Sequence, residues 1–228
     1  MSRPALLAVA HGSNHPAAAA TINTLASQVL RLAPVLDIRV AFVQHAEPSL
    51  ADGLAAAGSD VIIVPLLLST GYHLATDVTA AAAAGGVARA RVAGPLGPDP
   101  LLVTALTGRL TDAGVPPGTA VVLAAAGSSD PVATTEVSRQ AELLADGLGV
   151  PVLPAFTAVG RPTPSEAVAE LRSRTGGPVA VASYLLAPGQ FHERLSESGA
   201  EWVTAPLGGH PAVAGLVIDR YRAATTAR

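Results

Sequence analysis

"LLAVAHGSNHP", Leu6 to Pro16, and "VVLAAAGSSDP", Val121 to Pro131, share one pattern: a short apolar run, then glycine and serine, then a proline. An apolar run of this length that ends at Gly-Ser reads as a buried strand giving way to a turn. The two stretches stand 115 residues apart, Leu6 against Val121. "EPSLADGLAAAGSDVIIVPLLLSTGYH", Glu47 to His73, pairs with "TPSEAVAELRSRTGGPVAVASYLLAPGQFH", Thr163 to His192. "AGPLGPDP", Ala93 to Pro100, pairs with "TAPLGGHP", Thr204 to Pro211, 111 residues on. Three separate matches at nearly constant offset identify an internal duplication.

Between these anchors strands alternate with helices. Apolar runs at Leu6–Ala10, Ile38–Val43, Val61–Leu66, Ala88–Ala93, Val121–Ala125, Val150–Phe156, Val179–Tyr184 and Trp202–Ala205 read as buried strands. Alanine-rich stretches with helical spacing fill Ala17–Leu32, Pro48–Ala57, Leu101–Ala113, Val132–Gly147 and Ser165–Arg174. Such alternation predicts α/β units with parallel strands. The expected fold is therefore two similar domains, 1–115 and 116–228, each a four-stranded parallel sheet flanked by helices, joined by "DAGVPPGT" and facing across a cleft. Ligands of open parallel sheets settle outside the carboxyl ends of the strands. The loops after the strands are where candidate residues are sought.

Half of the 228 residues are apolar and 14% are charged, enough for a sizeable core and against long-range disorder. A formal charge of −3 and a pI near 6.0, with no Lys/Arg-rich run, argue against a nucleic-acid partner or an anionic membrane surface. A small molecule is the expected partner. With no cysteine, thiolate metal sites and a cysteine nucleophile are excluded, and any metal must be held by nitrogen and oxygen. The apolar run Ala5–Ala10 is short for a signal peptide, and no run approaches the roughly 20 residues of a membrane span. A cytoplasmic, soluble protein is expected.

His11, Gln44, His45 and the segment Ser69 to His73 all fall at strand ends of the first repeat. The second repeat carries Ala126 opposite His11, so the turn does not require imidazole and a chemical role for His11 gains weight. His15 and His210, each followed by proline, read as turn or capping residues, and Glu47 as a helix-dipole or capping residue. His192 reads equally well as structural or as lining the cleft. No Walker loop, G-x-G-x-x-G or G-x-S-x-G is present, which removes the usual nucleotide and nucleophile-elbow signatures.

"VAHGS", "AEPSL" and "VPLLLSTGYH" on a duplicated α/β chain resemble the long form of the sirohydrochlorin chelatase family, the class II chelatases. The resemblance covers essentially the whole chain. It implies ATP-independent insertion of Fe²⁺ or Co²⁺ into sirohydrochlorin, for siroheme or cobalamin synthesis, with the divalent metal as substrate and no permanently bound cofactor. It implies His11 and His73 as the catalytic histidines and metal ligands. Many relatives carry glutamate in a segment like "FLE" where this chain has "FVQ", so Gln44 becomes a third, neutral metal ligand.

Metal entry expels two pyrrole protons, and imidazole, with an ordinary pKa near 6.5, can bind a borderline metal or accept a proton. Ser13, Ser69, Thr70, Gly71 and Arg194 are the candidates for holding the carboxylate-rich substrate; Arg89, Arg91 and Arg161 are further cations, expected as surface charges. A duplicated chain can supply its own pairing, so a monomer is expected. Two other readings stand beside this one: a scaffold that binds tetrapyrrole or metal without turnover, kept open by Gln44, and a metal-independent hydrolase using Ser13.

Overall fold

The computed structural model describes residues 3–70 and 89–226. In the first repeat, strands β1 (Ala5–Ala10), β2 (Ile38–Phe42), β3 (Asp60–Pro65) and β4 (Arg89–Val92) form one sheet in the order β2-β1-β3-β4. The second repeat gives β5 (Ala120–Gly127), β6 (Val152–Val159), β7 (Val179–Tyr184) and β8 (Trp202–Val203) in the order β6-β5-β7-β8. Every pairing is parallel, and each first strand is central. All six residues of β1 are buried, as a parallel strand covered on both faces must be. One face of the first sheet stacks Ala5, Leu7, Val9, Val61 and Ile63 against Leu50 and Leu54 of α2 (Leu50–Ala57). In the second, Val122, Ala124, Val179 and Val181 pack against Ala167, Val168 and Leu171 of α5 (Pro164–Thr175).

The other helices are α1 (Pro16–Leu32), α3 (Pro100–Asp112), α4 (Pro131–Leu148), the short α6 (Gln190–Glu193) and α7 (Pro211–Thr226). The stretch that forms α7 is not among the helices expected from spacing. Four helices start by one device. His15, Asp99, Asp130 and His210 each precede a proline and accept the backbone N–H two residues on, from Ala17, Leu101, Val132 and Ala212 at 3.2, 2.9, 2.9 and 3.2 Å. Proline at the first helical position has no N–H to leave unpaired, and the cap satisfies the next one. The capping role expected of His15 and His210 is what the structure shows.

Packing and sequence repeat do not divide the chain at the same places. The sequence repeats part near Asp112–Gly118, whereas one compact unit runs to Leu96 and resumes at Gly208, and the other is Gly97–Leu207. The cause is the last helix of each repeat. In the second unit α3 packs on β7 and α4, and in the first α7 packs on β3 and α1. Buried-edge polar bonds fix both: Arg109 donates to the Leu207 carbonyl at 2.9 Å, and Arg220 donates to those of Pro95 and Leu96 at 2.7 Å each. Within its own unit, the Tyr221 hydroxyl donates to the Pro4 carbonyl at 2.7 Å.

Structure also corrects one of the sequence matches. Pro48 and Pro164 align by letters, but the chain places Pro48 with Pro162: Phe42 N–H donates to the Pro48 carbonyl at 3.0 Å, and Phe156 N–H to that of Pro162 at 2.9 Å. Ser49 and Thr163, one residue later, are the helix caps of α2 and α5. Strand β6 runs to Val159 rather than stopping at Phe156, because the ladder between β5 and β6 slips by a residue between Ala125 and Gly127. No described helix is long and apolar enough to cross a membrane.

Candidate functional site

His11 is the first residue past β1, and Gln44 the second past β2. Two ladder bonds continue beyond the strands, Val43 N–H to the Ala10 carbonyl and Gln44 N–H to the His11 carbonyl, both at 3.0 Å. They bring the two side chains to one place: the Gln44 amide nitrogen lies 2.6 Å from His11 Nε2. Both residues are exposed. With its nitrogen toward the ring, the amide donates and Nε2 accepts, which leaves the imidazole proton on Nδ1.

Gly12 makes this approach possible. Its φ is +92°, and a Cβ there would sit 1.7 Å from the Gln44 carbonyl oxygen. Only glycine tolerates both the left-handed backbone and the contact. The second unit repeats the geometry with Gly127, φ +90°, whose Cβ would meet the Val159 carbonyl oxygen at 1.8 Å. The turn is thus common to both units, and imidazole is not: Ala126 precedes Gly127.

Ser13 is part of the turn. Its Oγ accepts the His15 N–H at 3.1 Å, as Ser128 Oγ accepts that of Asp130 at 3.1 Å. The hydroxyl hydrogen of Ser13 is left to donate. Among the described residues the side chain of His11 meets Gln44, and Ser13 Oγ meets the His15 N–H, so this geometry does not pair Ser13 with His11 as nucleophile and base. Ser69 and Thr70 follow β3 and are half-buried. Gly71 and His73 lie outside the described residues.

The remaining candidates separate by their partners. His45 is exposed and holds a left-handed backbone, φ 63°. Glu47 is exposed and does not cap α2, contrary to the capping expectation; Ser49 Oγ does, accepting the Asp52 N–H at 3.2 Å. His192 is structural in its contact, with Nε2 donating to the Thr204 carbonyl at 3.0 Å. Arg91 pairs with Asp60 at 3.2 Å and donates to the carbonyls of Ala224 and Thr225 at the end of α7. Arg161 pairs with Glu166. Arg194 stands exposed on the turn Arg194–Glu197 after α6.

Thr163 and Glu166 form a capping box at the start of α5, and Arg161 pairs with the Glu166 carboxylate. The guanidinium of Arg161, together with the Thr163 backbone N–H at 2.7 Å, holds the Glu166 carboxyl at about 2, well below its ordinary value. At the end of β7, burial pushes the Tyr184 hydroxyl far above its usual range, with the carboxylates of Glu136 and Asp99 adding to the shift.

His11 and Gln44 can act together on a cation. Two donors on one metal, with bonds of about 2.1 Å, stand roughly 3 Å apart. Turning the amide to present its oxygen, and opening the pair slightly, would give a nitrogen and an oxygen at that spacing. Among the described residues no group of three or more His, Asp, Glu and Cys could hold a metal ion. The His11–Gln44 contact was not legible from the residues alone, although a glycine at the same point of both repeats was its signal.

The family model CbiX matches the chain twice, over residues 5–113 and 120–224. The structure of SirB from Bacillus subtilis with Fe³⁺ superposes with a TM-score of 0.82 at 26% identity, over 99% of this chain and 96% of that one. CbiX, described as the terminal enzyme for biosynthesis of siroheme in denitrifying bacteria, gives 0.74 at 25% identity over 96% and 99%. The fold is also that of the sirohydrochlorin chelatase SirB from Bacillus subtilis subspecies spizizenii in complex with cobalt, with a TM-score of 0.80 at 22% identity over 98% and 96%. No curated protein matches by sequence.

Proposed function

Because the chain belongs to the CbiX/SirB family of sirohydrochlorin chelatases, we propose that it inserts Fe²⁺ or Co²⁺ into sirohydrochlorin without ATP, and that His11 is its central catalytic residue. The observation that carries the reading is His11 Nε2 held 2.6 Å from the Gln44 amide, on the one of two matching turns that keeps a histidine. Relatives that hold Fe³⁺ and cobalt support the choice of metals as substrates.

Each metal ion that enters the ring displaces two pyrrole N–H protons. Neutral His11 delivers a partly dehydrated cation through Nε2, with Gln44 as an oxygen donor once its amide has turned. After the metal passes to the ring nitrogens, the same lone pair is free to accept one released proton, and a second base takes the other. His73, at the end of the "LSTGYH" motif, is proposed for that role and as a metal ligand. Imidazole suits both tasks because its ordinary pKa lies near neutrality. Ser13, Ser69, Thr70, Gly71 and Arg194 are proposed to meet the substrate's carboxylates, Arg194 as the charged partner. The chain is proposed to act as a monomer.

Absorbance of sirohydrochlorin on addition of Co²⁺ or Fe²⁺ tests the reaction. Catalysis of the spectral change by the wild-type chain, above the rate without protein, is the expected result; no acceleration with either metal contradicts it. One observation favours a second reading, a carrier of metal or tetrapyrrole without turnover: the amide of Gln44 supplies neither negative charge nor basicity. That reading predicts binding of metal or ring with no acceleration.

A further inference from the structure

The amino end of the first sheet holds a pocket of about 320 Å³, within the size range of small-molecule sites, roughly 300–1,000 Å³. Every residue that lines it belongs to the first compact unit. Arg3 precedes β1, Ala33, Val35 and Leu36 lie between α1 and β2, and Tyr221 and Arg222 are in the last turns of α7. His11 and Gln44 stand past the other ends of β1 and β2. The six residues of β1 span about 20 Å, at roughly 3.3 Å each, so the pocket is a place apart from the candidate metal site.

Its walls are of two kinds. Ala33, Val35 and Leu36 give an apolar side, with Val35 74% exposed. Arg3 and Arg222 give a cationic side, and both are exposed. Arg222 pairs with Asp219 at 3.7 Å, with both side chains more than half exposed, a contact too long and too hydrated to consume its charge. The neighbouring acids Asp37 and Asp60 are matched by Arg39 and Arg91 at 3.2 Å each.

A helix carboxyl end ordinarily repels anions, and here that end is covered. The carbonyls of Ala224 and Thr225 accept from Arg91 at 3.3 Å each. Those of Tyr221 and Ala223 accept from the hydroxyls of Thr225 and Thr226 at 2.8 and 3.0 Å. The Tyr221 hydroxyl is engaged by the Pro4 carbonyl at 2.7 Å. With those donors spent, the guanidiniums of Arg3 and Arg222 are the groups that would meet a ligand's charge. We propose that this pocket binds a small organic carboxylate with an aliphatic body, the carboxylate on Arg3 and Arg222 and the body against Ala33, Val35 and Leu36. Binding there needs neither His11 nor Gln44.

The test uses octanoate as the probe, titrated into the ¹⁵N-labelled full chain and followed by amide chemical shifts. Octyltrimethylammonium, the same tail with the opposite charge, is titrated beside it. Saturable shifts at Ala33, Leu36, Tyr221 and Thr225 are expected with octanoate, and binding about ten-fold weaker or less with octyltrimethylammonium. Arg3→Gln, Arg222→Gln and Val35→Asp should each lose octanoate affinity several-fold. All three fall on exposed side chains, thermal melts check that the variants are folded, and the comparison of the two probes needs no variant. Equal affinity for the two probes, or octanoate shifts that map away from these residues, overturns the proposal. Unchanged octanoate affinity in folded Arg3→Gln and Arg222→Gln does so too. A dimer in sedimentation that Val35→Asp dissociates, with no octanoate binding, assigns the face to a second copy of the chain and likewise overturns it.

Discussion

Gln44 presents its amide 2.6 Å from Nε2 of His11, across two adjacent parallel strands whose ladder continues into the loops. The contact orients the imidazole and lies at the nitrogen proposed to take the metal, so under that proposal Gln44 also competes with it. With the amide nitrogen toward the ring, as it stands here, the proposed metal binding at Nε2 requires the amide to turn.

Gln44→Glu should therefore tighten Co²⁺ binding by roughly ten-fold, since a carboxylate adds charge and donor strength without changing length. Titration calorimetry with Co²⁺ measures it. Equal affinities in the two proteins would separate Gln44 from the metal.

Gly12→Ala and Gly127→Ala should both destabilise the chain by about 2–3 kcal/mol, because each forces an unfavourable backbone and a collision with a facing carbonyl. Denaturant unfolding reads the stability. Gly12→Ala should additionally weaken Co²⁺ binding by moving His11 from Gln44, whereas Gly127→Ala should leave the metal affinity of its folded fraction intact.

His15 is a cap, and aspartate performs the same task before Pro100 and Pro131. His15→Asp should keep both stability and metal insertion, and His15→Ala should lose about 1 kcal/mol with insertion retained. A loss of insertion in folded His15→Asp would give this imidazole a chemical role.

The Arg161–Glu166 pair should show in acid. A carboxyl depressed from 4.5 to about 2 stabilises the folded state above its unfolded value, and that contribution fades as pH falls toward the folded one. The ¹³C carboxyl resonance of Glu166 should thus report an ionised group at pH 3.5, and Arg161→Gln should shift its titration upward. An unchanged midpoint in that variant would remove the guanidinium as the cause.

The central strands, the duplication and the capping histidines were legible because each depends on local pattern: apolar runs, a repeated Gly-Ser turn, a residue before proline. The assignment of α3 and α7 to compact units was not, since it is decided by which sheet a helix packs on, and Arg109 and Arg220 carry no local mark of the carbonyls they reach. The contact of His11 with Gln44 depends on strand register, which sequence offers only indirectly through Gly12. Arg91 and Arg161 show the same limit: their commitment to Asp60 and Glu166 follows from the fold rather than from composition. The expectations placed on Gly71 and His73 fall outside the described residues.

The most direct test of the account is the rate of Co²⁺ insertion into sirohydrochlorin by His11→Ala beside the wild-type chain, followed by absorbance at saturating substrate. A loss of at least ~100-fold with unaltered thermal stability is the predicted result, in line with the role proposed for His11 in holding metal and moving protons. An insertion rate equal to wild type in the folded variant would contradict it.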